Sequence, residues 1–313
     1  MRTIHLSYPD HLHVDHLESS VCAIGFFDGI HKGHQHVIQT AKDVAQKSNK
    51  KLAVMTFNPH PLSVISNGKK AVSYLTTLTQ KEAILNDLGV DLLYVVDFNH
   101  ELARLSAESF IDTFIIQLDI THLVCGFDFT YGHKGKGNVS TLPEHANERF
   151  SLTVVEKYSE DNEKVSSSWI RQKLQAGEMQ QVKHLLTRPL MTTGKVVHGY
   201  KRGRLIGYPT ANIAIEKNQA LPRTGVYYVT VKIDGKEIHG MANLGYNPTF
   251  QDDDLNQFIK LEVHLLDFDG HLYDQTLTVS WHEFVRPEYK FDHVDQLVER
   301  IKQDEQEIRQ IFS

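Results

Sequence analysis

Two histidines three residues apart, His31 and His34, sit with Gly29 and Gly33 in the stretch "IGFFDGIHKGHQHVI", residues 24–38. Imidazoles at this spacing project from neighbouring positions at a helix start and can donate hydrogen bonds to one anionic group. The helix start adds free backbone N–H groups and the positive end of the dipole. Glycines there let a phosphate approach the backbone closely. Such a site can stabilise the charge that builds on an α-phosphorus and a departing pyrophosphate when a nucleotidyl group is transferred. The chain holds 19 histidines among 313 residues, so composition alone can produce H-x-G-H, and the setting has to decide.

A second stretch, "KVSSSWIRQ" at residues 164–172, also opens a helical pattern. Ser166, Ser167 and Ser168 can cap a helix and bond phosphate oxygens, and Arg171 offers a planar fork for a phosphate. By itself this is an ordinary helix cap. A third stretch is "GYKRGRLIGYPTAN", residues 199–212. No G-x-x-x-x-G-K-[ST] occurs in the chain, so the Walker cradle is absent. A basic, glycine-rich loop entering a strand can nevertheless wrap nucleotide phosphates. Thr210 and Asn212, two apart on a strand, point the same way and can share a magnesium ion. The bland alternative is a basic surface hairpin.

The elements that must position these residues follow from periodicity. Strand-length apolar runs at 21–27, 52–57, 92–96, 122–127 and 152–155 alternate with helical patterns. The helices are expected at about 34–47, from a Thr79/Glu82 capping box to Gly89, and at about 107–118. This alternation predicts an α/β, Rossmann-like amino-terminal domain built on a parallel sheet, with His31, His34 and the serines at the carboxyl ends of its first and fifth strands. One further helix is expected over 168–186. Beyond it the chain becomes strand-like, with hairpins expected at Asp234-Gly235 and Asp269-Gly270. A small antiparallel β-barrel follows from this, closed by an amphipathic carboxyl-terminal helix whose apolar side carries Val294, Leu297, Val298, Ile301 and Ile308. The domains are expected to span 1–183 and 184–313.

Composition narrows the function classes. A net charge of −6 provides no basic excess for nucleic acid or a membrane surface. No apolar run approaches bilayer length, and the start lacks a signal-peptide pattern. The two cysteines, Cys22 and Cys125, read as reduced core residues of a cytoplasmic protein. "HLHVDHL" at 11–17 lacks a ligand partner at metal spacing and reads as a solvated segment. Nothing in the sequence calls for an obligate protein partner.

H-x-G-H followed by S-S-[ST]-x-x-R is the pattern of the nucleotidyltransferase superfamily. Together with "FNPHP" (57–61), "GFDFTYG" (126–132), the 199–212 loop, "GVYYV" (225–229), "NLGYNPTF" (243–250) and "LEVHLLDFDGHLY" (261–273), the chain resembles the prokaryotic bifunctional riboflavin kinase/FMN adenylyltransferases. The resemblance implies an amino-terminal domain that adenylates FMN and a carboxyl-terminal riboflavin kinase. In the first, His31, His34 and Arg171 would act on ATP, with Gly25, Phe27, Asp28, Gly29, Gly33 and the three serines around its phosphates. Asn58 and Asp128 would lie beside flavin phosphate and metal. In the second, the resemblance implies Glu262 as the base and Mg²⁺ on Thr210 and Asn212. Gly199, Arg202, Gly203 and Gly207 would lie along ATP, with Tyr227, Asn243 and Arg286 at the flavin. The implied small molecules are riboflavin, FMN, FAD and ATP. Departures from the family pattern at Asn138, Trp169, the glycine expected before Arg188, and Asp274 touch none of the residues proposed for chemistry.

Overall fold

A computed structural model describes residues 1–69, 72–199, 202–246 and 259–312, without the side chain of Arg202. Backbone contacts divide the chain into two units, Met1–Ser167 and Ser168–Ser313.

The first unit runs β1 (Arg2–Ser7), β2 (Ser20–Ile24), α1 (Lys32–Ser48), β3 (Lys51–Asn58), α2 (Pro61–Ile65), α3 (Leu78–Asp87) and β4 (Leu92–Asp97). It continues through α4 (Ala107–Ile111), extended by a π-helical turn over Asp112–Ile116, then β5 (Ile120–Gly126) and the ribbon of β6 (Thr130–Tyr131) with β7 (Gly137–Asn138). After α5 (Leu142–Ala146) and β8 (Ser151–Val155), a short hairpin of β9 (Ser159–Glu160) and β10 (Glu163–Lys164) leads to α6 (Ser167–Ala176). Six strands form one parallel sheet in the order β1-β4-β3-β2-β5-β8. Its four central strands, β4, β3, β2 and β5, are largely apolar and buried because both faces are covered. Cys22, Ile24, Met55 and Tyr94 face one core with Phe110 and Phe114. Val21, Ala23, Val54 and Leu93 face another with Ile38, Ala41 and Leu85. The strand order reverses at β2, so the loop after β2 opens into the crevice where sheets of this kind bind ligands.

Three expectations are corrected here. The capping box of α3 is Thr77/Gln80 rather than Thr79/Glu82: the Thr77 side chain accepts from the Gln80 amide and the Gln80 side chain accepts from the Thr77 amide. The strand β1 went unread because its residues mix polar and apolar types and form no apolar run. The helix expected over 168–186 is two helices, α6 and α7 (Met179–Leu186), broken at Gly177 with φ +80°.

The second unit continues with β11 (Leu190–Val197), α8 (Arg202–Leu205), β12 (Ala211–Ile215), β13 (Gly225–Ile233), β14 (Lys236–Tyr246), β15 (Ile259–Leu265), β16 (Thr276–Arg286) and α9 (Val294–Phe312). The six strands close a barrel in the order β11-β12-β15-β14-β13-β16. Trp281 and Tyr227 fill it, both 0% exposed, and the Trp281 indole donates to Thr192 Oγ1 at 2.8 Å. The Asp234-Gly235 hairpin forms as expected, with Ile233 opposite Lys236. The Asp269-Gly270 hairpin does not. β15 pairs with β12 and β14, and β16 pairs with β11 and β13, so that turn lies in a connection between strands that are not neighbours. On α9, Val294 is 61% exposed, whereas Ile308 and the charged Asp304 are buried.

Candidate functional site

In the first unit His31 is the N-cap of α1: its Nδ1 accepts from the His34 backbone amide at 3.3 Å. A neutral His31 therefore carries its proton on Nε2 and can donate from that atom. The two imidazoles stack, with centroids 3.6 Å apart and planes 19° off parallel. Any side chain at Gly33 would press on the His31 ring, which a Cβ would meet at 3.3 Å. The Phe27 ring meets His34 edge-on at 5.4 Å. Burial, then the neighbouring His31, Lys81 and Lys164, hold the His34 imidazole well below the usual histidine range. His34 Nδ1 is buried with no hydrogen-bond partner among the described residues. A neutral imidazole with an orphaned nitrogen, beside two lysines, suits a polyanionic ligand.

The loop from Gly25 to His31 is locked from behind. Phe27 and Ile30 adopt φ +52° and +42°, which non-glycine residues avoid, and Gly29 takes φ +87°. Asp28 is 4% exposed, and its Oδ1 accepts from the amides of Leu75 and Thr76 at 2.9 and 3.3 Å. Its backbone oxygen accepts from Ser167 Oγ at 2.8 Å. The Gly29 amide donates to Thr76 Oγ1 at 3.0 Å. Asp28 thus anchors the loop, and Gly29 serves the turn. Gly25 leaves room for the Phe27 ring, which a Cβ would meet at 3.0 Å. Asn58 is exposed at the end of β3, and Asp128 receives an ion pair from Lys164 at 2.6 Å. Ser166 precedes α6, while Ser168 and Arg171 lie on it in the second unit.

Sequence reading missed Lys81. It is 4% exposed on α3 and donates to the Phe26 carbonyl at 2.7 Å and to Thr56 Oγ1 at 2.9 Å. The signal was available: Lys81 falls three residues after Leu78 and four before Leu85, on the inward stripe of the helix.

In the second unit the barrel register makes a row. Asn212 on β12 lies directly opposite Glu262 on β15, and Glu262 directly opposite Asn243 on β14. Directly opposed residues of antiparallel strands share a face, so three separately predicted residues meet on one surface. Glu262 is half-buried beside Lys260, 3.9 Å from its Nζ, and Asn243 Nδ2 donates to Glu288 Oε1 at 3.5 Å. Thr210 leads into β12, steadied by His264, whose Nδ1 donates to the Pro209 carbonyl at 2.7 Å. Gly199 lies against the Asn212 amide so closely that a Cβ would come within 2.5 Å of Asn212 Cγ. A cavity of about 960 Å³ opens there, lined by His198, Gly199, Asn212, Glu216, Gln219 and Lys260. Gly203 leaves no room for a side chain beside the Tyr208 carbonyl, and Gly207 takes φ +85°. The side chain of Arg202 and residues 247–250 of the "NLGYNPTF" motif lie outside the described residues.

Thr210 and Asn212 offer neutral oxygen donors, and the described residues hold no cluster of three or more His, Cys, Asp or Glu suited to a metal. That donor set fits Mg²⁺, which keeps waters and takes its other ligands from substrate phosphates. Two residues expected at the flavin are engaged by neighbouring groups of the barrel unit. The Tyr227 hydroxyl donates to the Arg223 carbonyl at 2.6 Å and its ring packs on Trp281 and Phe284 inside the barrel. Arg286 is clamped to Asp304 of α9, with Nη2 to Oδ2 at 2.7 Å.

Comparison with known proteins divides the chain the same way. The FAD synthetase family model matches residues 13–169 and the riboflavin kinase model residues 186–312. A bifunctional riboflavin kinase/FMN adenylyltransferase of Listeria monocytogenes is 42% identical over 100% of this chain and 99% of its own. One from Bacillus subtilis is 43% identical with the same coverage. A crystal structure described as a macrolide-efflux protein from Streptococcus pneumoniae superimposes with a TM-score of 0.86 at 34% identity, covering 98% of both chains. Among the described residues, no helix is long and apolar enough to cross a membrane. The two matched domains, in this order over the whole length, make the chain a member of the bifunctional riboflavin kinase/FMN adenylyltransferase family.

Proposed function

We propose that the two halves, taken as residues 1–183 and 184–313, run consecutive reactions on one flavin. In the barrel the ribityl primary hydroxyl of riboflavin attacks the γ-phosphorus of ATP. Glu262 accepts the hydroxyl proton as the new O–P bond forms, and ADP leaves. Asn212 and Thr210 would hold Mg²⁺, which supplies charge neutralisation on the phosphates when bound. Gly199, Arg202, Gly203 and Gly207 run along ATP, and Asn243 contacts the flavin. In the sheet domain a phosphate oxygen of FMN attacks the α-phosphorus of a second ATP and pyrophosphate leaves. His31 and His34 steady the developing charge, and Arg171 with Ser166, Ser167 and Ser168 holds the pyrophosphate end. Asn58 and Asp128 lie on the flavin-phosphate side. Both steps rest on positioning and electrostatics, with no covalent enzyme intermediate.

The observation that carries this reading is the Asn212–Glu262–Asn243 row, in which the residues proposed as metal ligand, base and flavin contact lie on adjacent strands. The two free cysteines are in keeping with a reducing cytoplasmic setting. The test is turnover of riboflavin by the purified chain with ATP, with and without Mg²⁺, separating FMN and FAD. FMN should appear first and FAD second, and neither without the metal ion. Absence of FMN under full conditions would end the kinase assignment.

A further inference from the structure

We propose that Lys81 is a positioning residue for adenylyl transfer, its ammonium fixing the Phe26–Phe27 peptide and with it the strained loop that carries His31. The inference rests on the reading of the first half as the adenylyl-transferring half.

The Phe26 carbonyl accepts two hydrogen bonds, from Lys81 Nζ at 2.7 Å and from Thr56 Oγ1 at 2.9 Å. Lys81 also donates to Thr56 Oγ1 at 2.9 Å and lies over the Phe26 ring, 4.7 Å from its centroid. The C=O and N–H of a trans peptide point in opposite directions, so a cation fixed on the Phe26 oxygen also sets and polarises the Phe27 N–H on the far side. The next residues take the left-handed φ values at Phe27, Gly29 and Ile30. Such strain persists only where the surroundings over-determine it, and here they do so from one side. Lys81 and Thr56 hold the start of the loop, while Leu75 and Thr76, just before α3, hold Asp28 and Gly29.

Packing alone does not call for a lysine here. A buried cation is costly, and an apolar side chain of the same length would fill the space at less cost. Desolvation pulls the ammonium down to about 8, with Asp28 opposing the shift, so it stays largely charged at neutral pH. Asp28 on the loop acts on Lys81, and Lys81 in turn acts on His34 of α1, as do the N-cap His31 and Lys164 of β10. β3 contributes the uncharged Thr56. A charge kept at that cost, on the carbonyl that begins the phosphate loop, points to a need for its field and its hydrogen bonds.

The test uses the full chain and the variants Lys81→Met, Thr56→Val and Thr56→Ser. Wild-type conversion of FMN and ATP to FAD is measured first; if it is absent, the reading of the first half fails and takes this proposal with it. Lys81→Met should lower kcat/KM for ATP in FAD formation about tenfold to a hundredfold, the scale for outer partners of a ligand site. Riboflavin phosphorylation in the same sample should be unchanged, and the melting temperature equal or higher. The wild-type kcat/KM should also decline above about pH 8 as Lys81 loses its proton, and Lys81→Met should lack that limb. Thr56→Val should weaken FAD formation in the same direction and Thr56→Ser should restore it, which keeps the test alive should Lys81→Met fail to fold. FAD formation within threefold of wild type in Lys81→Met overturns the proposal. So does a loss matched by a lowered melting temperature with Thr56→Val unaffected, because that pattern belongs to packing.

Discussion

Replacing Asp304 by alanine removes one carboxylate from under α9 and should destabilise the barrel unit far more than a surface charge would. Asp304 is 1% exposed and accepts from Arg286 Nε at 2.8 and 3.0 Å and from Arg286 Nη2 at 2.7 Å. Arg300 Nε adds a fourth bond at 2.8 Å. The two arginines respond differently to the loss. Arg300 is a quarter exposed and keeps Glu307 at 3.2 Å, so it can turn to water. Arg286 is 8% exposed and would be left buried with, among the described residues, the Pro287 carbonyl and the Tyr289 ring. Breaking a buried pair this way costs about 3–5 kcal/mol. For a unit of roughly 150 residues that corresponds to a fall of about 10 °C in melting temperature. Removing both charges together, Arg286→Met with Asp304→Leu, should lie within about 1 kcal/mol of wild type. Tryptophan fluorescence is the assay, because the chain has two tryptophans, Trp169 and Trp281, and both lie in the second unit. Riboflavin phosphorylation by the double variant then asks whether Arg286 also touches the flavin. A single variant less than 1 kcal/mol below wild type, or a double variant as unstable as the single, would refute the buried-charge argument.

Other outcomes follow from the two sites. His31→Ala should cut FAD formation about a hundredfold through loss of a preorganised donor, and loosen α1 by about 1 kcal/mol through loss of its cap, while FMN production continues. Near-normal FAD formation in that variant places the phosphate site elsewhere. Glu262→Gln should slow riboflavin phosphorylation by roughly 10²–10⁴ and leave FMN-to-FAD conversion intact; equal loss of both rates would mark a folding defect instead. Gly199→Ala pushes a methyl into the Asn212 amide, so phosphorylation should fall by about a hundredfold, with FAD formation from supplied FMN as the internal control. An unchanged phosphorylation rate would separate Asn212 from the kinase site.

The parallel sheet was legible because strands buried on both faces must be apolar runs, as β2 to β5 are, and because the edge strand β8 carries a short apolar run despite its exposure. β1 escaped because its residues, RTIHLS, mix polar and apolar types and form no apolar run. Both proposed phosphate motifs were visible as residue types at fixed spacing, yet the structural partners of Asp28 and Gly29 were not, since residues 75 and 76 lie far along the chain. Two charges were overlooked. Asp304 falls between Ile301 and Ile308 on a stripe read only for its apolar members, and Lys81 falls between Leu78 and Leu85 on a helix placed only by its ends. A charged residue at an inward position is the mark of a buried polar contact, but the partner is set by the tertiary fold. The false hairpin at Asp269-Gly270 fails likewise: a turn signal shows where the chain bends, while closing a barrel decides which strands become neighbours.

The barrel is sealed by its first and last strands, Leu190 of β11 standing opposite Trp281 of β16. That pairing has a consequence for the order of events on the ribosome. No segment ending before β16 contains both sides of the seam, and closing so long a loop is slow. The six-stranded parallel sheet is complete once β8 has emerged at Val155. A growing chain therefore holds everything needed for its first sheet before any barrel strand is made; β11 to β15 can then pair as an open five-stranded sheet, and the seam can zip only once β16 has been added.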